Sequence, residues 1–148
     1  MTLLVGEAFG ARSPARVHSP LLGMDLRSDG EAATHIPLRE DFEYGVLVLT
    51  GSAEVEGEKL EPGELLYLGQ HRATLSLRFM RAAKILLIGG EPFAEDILLW
   101  WNFIGRSKEE IEAYVRQWNA GEAFGEVKGY PGERLPAPAL PAAMRLKR

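Results

Sequence analysis

The chain has 148 residues, with 17 Lys+Arg against 21 Asp+Glu and no cysteine. That length fits one ordinary domain and is too short for two full ones, and 46% hydrophobic with 26% charged residues excludes global disorder. A net charge of -4 supplies no positive field for phosphate backbones, and the lack of thiols excludes disulfides, thiolate nucleophiles, iron–sulfur clusters and cysteine zinc sites.

The opening Met1-Thr2-Leu3-Leu4-Val5 run stops at Gly6-Glu7, too short and too weakly basic for a signal peptide, and no long uncharged apolar run spans a bilayer. A cytoplasmic protein is expected, with neither nucleic acid nor membrane as partner. From Leu3 to Gly90, short apolar runs are punctuated by Gly and Pro, the rhythm of an all-β sandwich or barrel. Tyr44-Gly45-Val46-Leu47-Val48-Leu49 and Ile85-Leu86-Leu87-Ile88 are apolar on both faces, which predicts central strands covered on both sides. Thr50-Gly51-Ser52, Glu56-Gly57-Glu58 and Glu61-Pro62-Gly63 supply the turns of a series of hairpins. From Arg72 to Phe79, Arg72, Thr74, Ser76 and Arg78 alternate with Ala73, Leu75, Leu77 and Phe79, predicting one wet face and one core face. The short strand spacing predicts an antiparallel, rolled-up sheet that hides its edges.

Trp100-Trp101-Asn102-Phe103 is the most unusual segment. Adjacent tryptophans in an extended segment point to opposite faces, so one of them needs cover from the following helix or from another chain. Trp100, Trp101, Phe103 and Trp118 are therefore the candidate interface residues. The helix is expected over 107–120: Ser107 and Glu110 match a capping box, Ile111, Tyr114, Val115 and Trp118 recur at helical spacing, and Gly121 ends it. Glu109, Glu112, Arg116 and Asn119 form its solvated face. Beyond Phe124, Pro131, Pro136, Pro138 and Pro141 predict an extended proline-rich tail that ends in the basic Arg145-Leu146-Lys147-Arg148. Pro138-Ala139-Leu140-Pro141 fits a PxxP pattern and is read as packing.

Residues that carry chemistry are sparse. His18, His35 and His71 stand 17 and 36 residues apart, so none shares a strand with another, and the alternate-residue pairing that grips a cation on a strand is missing. Glu40, Asp41 and Glu43 have the oxygens that Mg²⁺ or Ca²⁺ takes, but an exposed loop entering a strand carries the same residues as solvation. His35, near Glu40, is the one candidate general base, and no nucleophile accompanies it. The serines show no strand-to-helix elbow, and Gly89-Gly90-Glu91-Pro92 lacks the Lys-Ser/Thr of a phosphate loop.

Several of these segments together resemble the C-terminal half of pirins: Gly89-Gly90-Glu91-Pro92, Trp101-Asn102-Phe103-Ile104, Arg106-Ser107-Lys108-Glu109-Glu110-Ile111, Trp118, Phe124-Gly125 and Arg134-Leu135-Pro136-Ala137-Pro138. The resemblance runs from Gly6-Glu7-Ala8-Phe9-Gly10 and Ser13-Pro14, through Leu60-Glu61-Pro62-Gly63-Glu64-Leu65-Leu66, to about Pro141. It implies a single cupin barrel, the double-stranded β-helix or jelly roll, over 1–141 including the helix, with 142–148 as a short basic tail.

Pirins carry two such barrels, and the resemblance implies that this chain corresponds to the second. The iron and the dioxygenase activity on flavonols such as quercetin are attributed to the first. Where cupins place His-x-His ahead of the Gly51 turn this sequence has Pro37, Leu38 and Arg39, and after the Pro62-Gly63 turn it has Leu65, Leu66 and Tyr67. No catalytic residue is carried over. No cofactor is expected, iron entering only if His18, His35, His71 and Glu43 converge on an unorthodox site. The expectation is a metal-free binding or assembly module that pairs with another cupin barrel, either a second copy or a separately encoded metal-bearing first half. The alternatives are a part of a quercetin dioxygenase-type pirin and a barrel that binds a small aromatic ligand.

Overall fold

The computed structural model describes residues 1–141; the basic end expected at 142–148 lies outside the described residues. The described residues form two compact units, 1–92 and 93–141, each with a hydrophobic cluster of its own, where the length had suggested one core.

The first unit holds eleven strands: β1 (Thr2–Val5), β2 (Glu7–Ala8), β3 (Ala11–Arg12), β4 (Leu21–Ser28), β5 (Ala32–Pro37), β6 (Glu43–Thr50), β7 (Ala53–Val55), β8 (Glu58–Leu60), β9 (Leu65–Gly69), β10 (Thr74–Phe79) and β11 (Ala83–Gly90). Five pair in the order β1-β4-β11-β6-β9, four in the order β5-β10-β7-β8, and β2-β3 is a small separate hairpin. Every pairing is antiparallel.

Alternation explains the packing. Along β10, Leu75, Leu77 and Phe79 are buried while Thr74, Ser76 and Arg78 are exposed, as their period of two predicts. The strand begins at Thr74 rather than Arg72: Ala73, expected on the core face, is exposed, and half-buried Arg72 lies before the strand with its Nε–H donating to the Leu68 carbonyl at 2.8 Å. From the five-stranded sheet Met24, Tyr44, Val46, Val48, Ile85 and Leu87 meet them, each at most 2% exposed. Burying side chains of this size stabilises by about 1.5–3 kcal/mol each.

The expectation that β6 and β11 are covered on both faces is corrected. They are central, but Leu47 and Leu86 on the outer face are only half-buried, and Leu49 and Ile88 are 39% and 41% exposed. The hairpin between β7 and β8 needs both turn residues in the left-handed region. Glu56 (φ 52) and Gly57 (φ 87) supply it, matching the right-handed twist of the flanking strands.

The second unit is a hairpin of β12 (Leu98–Trp100) and β13 (Phe103–Gly105), followed by α1 (Lys108–Asn119). The helix starts one residue inside the expected 107–120 and stops one short, with Ser107 and Ala120 as its caps. The Ser107 hydroxyl accepts from the Glu110 N–H at 3.2 Å, one arm of a capping box. The other arm is displaced by a residue: the Glu110 carboxylate accepts from the Arg106 N–H at 2.6 Å. At the far end the Gly121 N–H donates to the Trp118 carbonyl and the Glu122 N–H to the Gln117 carbonyl, the paired bonds of a Schellman ending with Gly121 at φ 74.

Candidate functional site

The interior of the barrel is where this architecture offers a site, and side chains fill it. Tyr44 is 2% exposed, and its ring lies over Gly89, its partner across β6 and β11. Its hydroxyl accepts from the Arg39 N–H at 2.9 Å, and burial pushes its ionisation upward. The neighbouring interior positions, Met24, Val46, Leu75, Leu77, Ile85 and Leu87, carry no metal-binding donor better than a thioether.

The histidines named from the sequence lie apart on the surface. His18 sits on the loop before β4, beside a groove it lines with Arg39 and Phe42. His35 projects from β5 opposite Ser76 of β10 and lines an open pocket of about 320 Å³ with apolar Phe9, Leu26, Leu77 and Phe79 and polar Arg27 and Thr34. His71, at φ 62, occupies the turn before β10, where its N–H donates to the Glu40 carbonyl at 3.0 Å. Glu43 accepts a 2.8 Å hydrogen bond from the Tyr67 hydroxyl, and that carboxylate raises the phenol's ionisation. Among the described residues, no three His, Cys, Asp or Glu side chains gather where they could hold a metal ion. The donor set of this barrel does not fit iron.

The four aromatic interface candidates share one cluster of the second unit. Phe103 is buried and Trp100, Trp101 and Trp118 are half-buried around Ile111. The expected opposition of the two adjacent tryptophans is corrected. Trp101 is the first turn residue of the hairpin, at φ 51, so strand alternation breaks there and both rings reach the same core. Trp101 meets Phe103 and Trp118 edge-on, each with centroids 5.5 Å apart, a favourable geometry for aromatic quadrupoles. The helix therefore covers them from within the unit.

Two arrangements escaped the sequence reading. The first is Asp25 on the outer face of β4, 7% exposed and held by Arg27 at 2.9 Å and Lys84 at 3.3 Å. The hydrogen bond from Arg27, with Lys84 behind it, outweighs burial and holds the Asp25 carboxyl down to about 2. A charged residue inside the apolar run Leu21–Leu26 was its signal. The second is Asn119, assigned to the solvated face of α1. Its amide nitrogen donates to the Ala137 carbonyl at 3.2 Å and its oxygen accepts from the Ala137 N–H at 2.8 Å. The indoles of Trp118 and Trp100 donate to the Leu135 and Pro138 carbonyls, so side chains clamp the backbone of 135–138.

Two stacked antiparallel sheets closed over one apolar interior define a jelly-roll barrel of the cupin class. Residues 23–125 match the pirin C-terminal cupin domain, and the chain belongs to that family. It is 44% identical over 141 residues to the Pseudomonas aeruginosa protein named "Putative quercetin 2,3-dioxygenase PA1205", covering 95% of this chain and 45% of that one. It is 30% identical to a pirin-like protein of Caulobacter vibrioides, over 80% of this chain and 40% of the relative. A crystal structure of quercetin 2,3-dioxygenase from Acinetobacter baumannii matches with a TM-score of 0.89 at 40% identity, over 99% of this chain and 49% of that one. The chain thus spans about half the length of the relatives it matches.

Proposed function

We propose that this chain is a binding and assembly barrel of the pirin type, without catalytic machinery of its own, that pairs with another cupin barrel. The observation carrying this reading is the packed interior around Tyr44 and Gly89, where a metal-bearing barrel needs imidazoles and carboxylates. The scattering of His18, His35, His71 and Glu43 supports it. The test is metal content by mass spectrometry on tag-free protein after anaerobic Fe²⁺ loading and desalting. Iron far below one atom per chain is expected; retention near one per chain defeats the reading.

The names of the Pseudomonas and Acinetobacter relatives favour a second reading, in which this barrel forms part of a flavonol-oxidising assembly. There the reacting metal belongs to a pirin first barrel, and this chain contributes packing surface to it. Adding the chain to a separately produced first barrel and following loss of quercetin tests this. A rise in turnover supports it, and unchanged turnover removes it. A barrel that binds a small aromatic ligand would use the pocket beside His35, and a thermal-shift panel of flavonols tests that role.

A further inference from the structure

The outer face of the five-stranded sheet carries an apolar patch that the alternation of a solvated sheet does not predict. Leu47 of β6 stands in register with Leu65 of β9 and with Leu86 of β11, and Ile88 and Tyr67 flank Gly45 in the next row. Leu65 is 57% exposed, Tyr67 65% and Ile88 41%. A Cβ on Gly45 would meet Leu65 Cδ1 at 3.3 Å and Ile88 Cγ1 at 3.6 Å, so those side chains lean together over the glycine as one patch. On a one-sided antiparallel sheet these positions are polar; contiguous apolar ones mark an interaction surface.

The ends of this face differ in charge. At one end Lys84 and Arg27 are cross-strand neighbours, and together they exceed the single charge of Asp25. At the other end Glu43 is the cross-strand neighbour of Gly90; Glu91, which follows, is paired with Arg39 at 3.6 Å, so Glu43 is the carboxylate this end presents. A two-fold axis running across the strands lays the Leu65–Ile88 patch of one copy on the same patch of a second. It also carries each basic end over an acidic end, twice, as a self-complementary contact requires.

We infer that this sheet face is the docking surface for a second copy of the chain, the two sheets stacking face to face with their strand ends reversed. The inference rests on the assembly reading above and names the surface that carries it. Stacked sheets bury their facing rows against each other about 10 Å apart, so a single charge in the patch suffices to disrupt the contact.

Sedimentation of the full chain over a range of concentrations tests it, with far-UV circular dichroism confirming that each variant folds. The wild type is expected to sediment as a dimer. Leu65→Lys and Ile88→Lys should each weaken association by at least about tenfold, the effect of removing a central apolar contact. Glu43→Lys should weaken it, and adding Lys84→Glu in the same chain should restore it. A wild-type monomer at every concentration refutes self-pairing, while pairing with a first barrel is judged by the flavonol assay. A dimer unmoved by either lysine variant moves the contact to another surface and leaves the assembly reading standing. A dimer sensitive to the lysines but without charge rescue refutes the reversed orientation.

Discussion

Gly89 and the ring of Tyr44 occupy what is sterically one residue's space in the barrel: a Cβ on Gly89 would lie 2.4 Å from Tyr44 Cδ1 and 2.8 Å from the Glu43 carbonyl oxygen. Gly89→Ala is therefore expected to lower stability by about 1–3 kcal/mol through overpacking, measured by chemical denaturation. Tyr44→Phe keeps the ring and strands the Arg39 N–H that its hydroxyl satisfies, a loss of about 1–2 kcal/mol. The pair Gly89→Ala with Tyr44→Val should lose less than the sum of its single changes, since the methyl then enters space the ring has left. Strict additivity would mean that ring and glycine do not compete.

Asp25 makes stability depend on pH in a defined window. Its carboxyl falls from the ordinary 3.8 to about 2 in the fold, so between those values the unfolded chain binds more protons than the folded one. Stability rises with pH across that window, is complete above about 4, and is lost as pH falls through about 2. Unfolding midpoints measured from pH 5 downward should show this slope, and Asp25→Asn should flatten it. An equal slope in the variant would assign the effect to other carboxylates.

The helix caps are separable. Ser107→Ala removes the acceptor for the Glu110 N–H and should cost about 1 kcal/mol. Gly121→Ala forces a Cβ onto a left-handed residue and should cost a similar amount, about 1 kcal/mol. Both losses should appear in the melting of the helical circular-dichroism signal, and a neutral result at Gly121 would show that the chain finds another ending.

Asn119 is expected to matter more than its exposed place on α1 suggests. Asn119→Ala leaves the N–H of buried Ala137 without its partner, a penalty of about 1–3 kcal/mol local to the 135–138 segment. Hydrogen exchange at the Ala137 amide should accelerate strongly while β10 amides are unchanged. Asn119→Asp retains the acceptor and loses the donor, so it should protect that amide better than alanine does.

What the sequence made legible follows from periodicity. The period of two in β10 placed Leu75, Leu77 and Phe79 in the core, and the spacing Ile111, Tyr114, Val115, Trp118 placed the helix face, because alternation and helical repeat act within one element. Glu56-Gly57 gave its turn by local chemistry alone. Runs with no period were read less well: Leu47, Leu49, Leu86 and Ile88 are apolar, and nothing local says whether a neighbour covers them. The Trp101 turn was missed because a bulky residue in the left-handed region is rare, so strand alternation was extended through it. The Asn119 clamp on Ala137 joins residues 18 apart with no pattern linking them. For the candidate site the sequence showed the residue types in place of the usual ligands, while the filling of the interior by Tyr44 over Gly89 needed the three-dimensional structure.

All three tryptophans of the chain stand in the aromatic cluster of the second unit, and the first unit has none. Indole emission is therefore a private optical reporter of that cluster, requiring no label and no substitution. A thermal transition followed by that light belongs to the unit from Phe93 onward, while the amide signal is dominated by the strands of Met1–Pro92. The interval between the two midpoints measures directly how cooperatively the halves of this small protein melt.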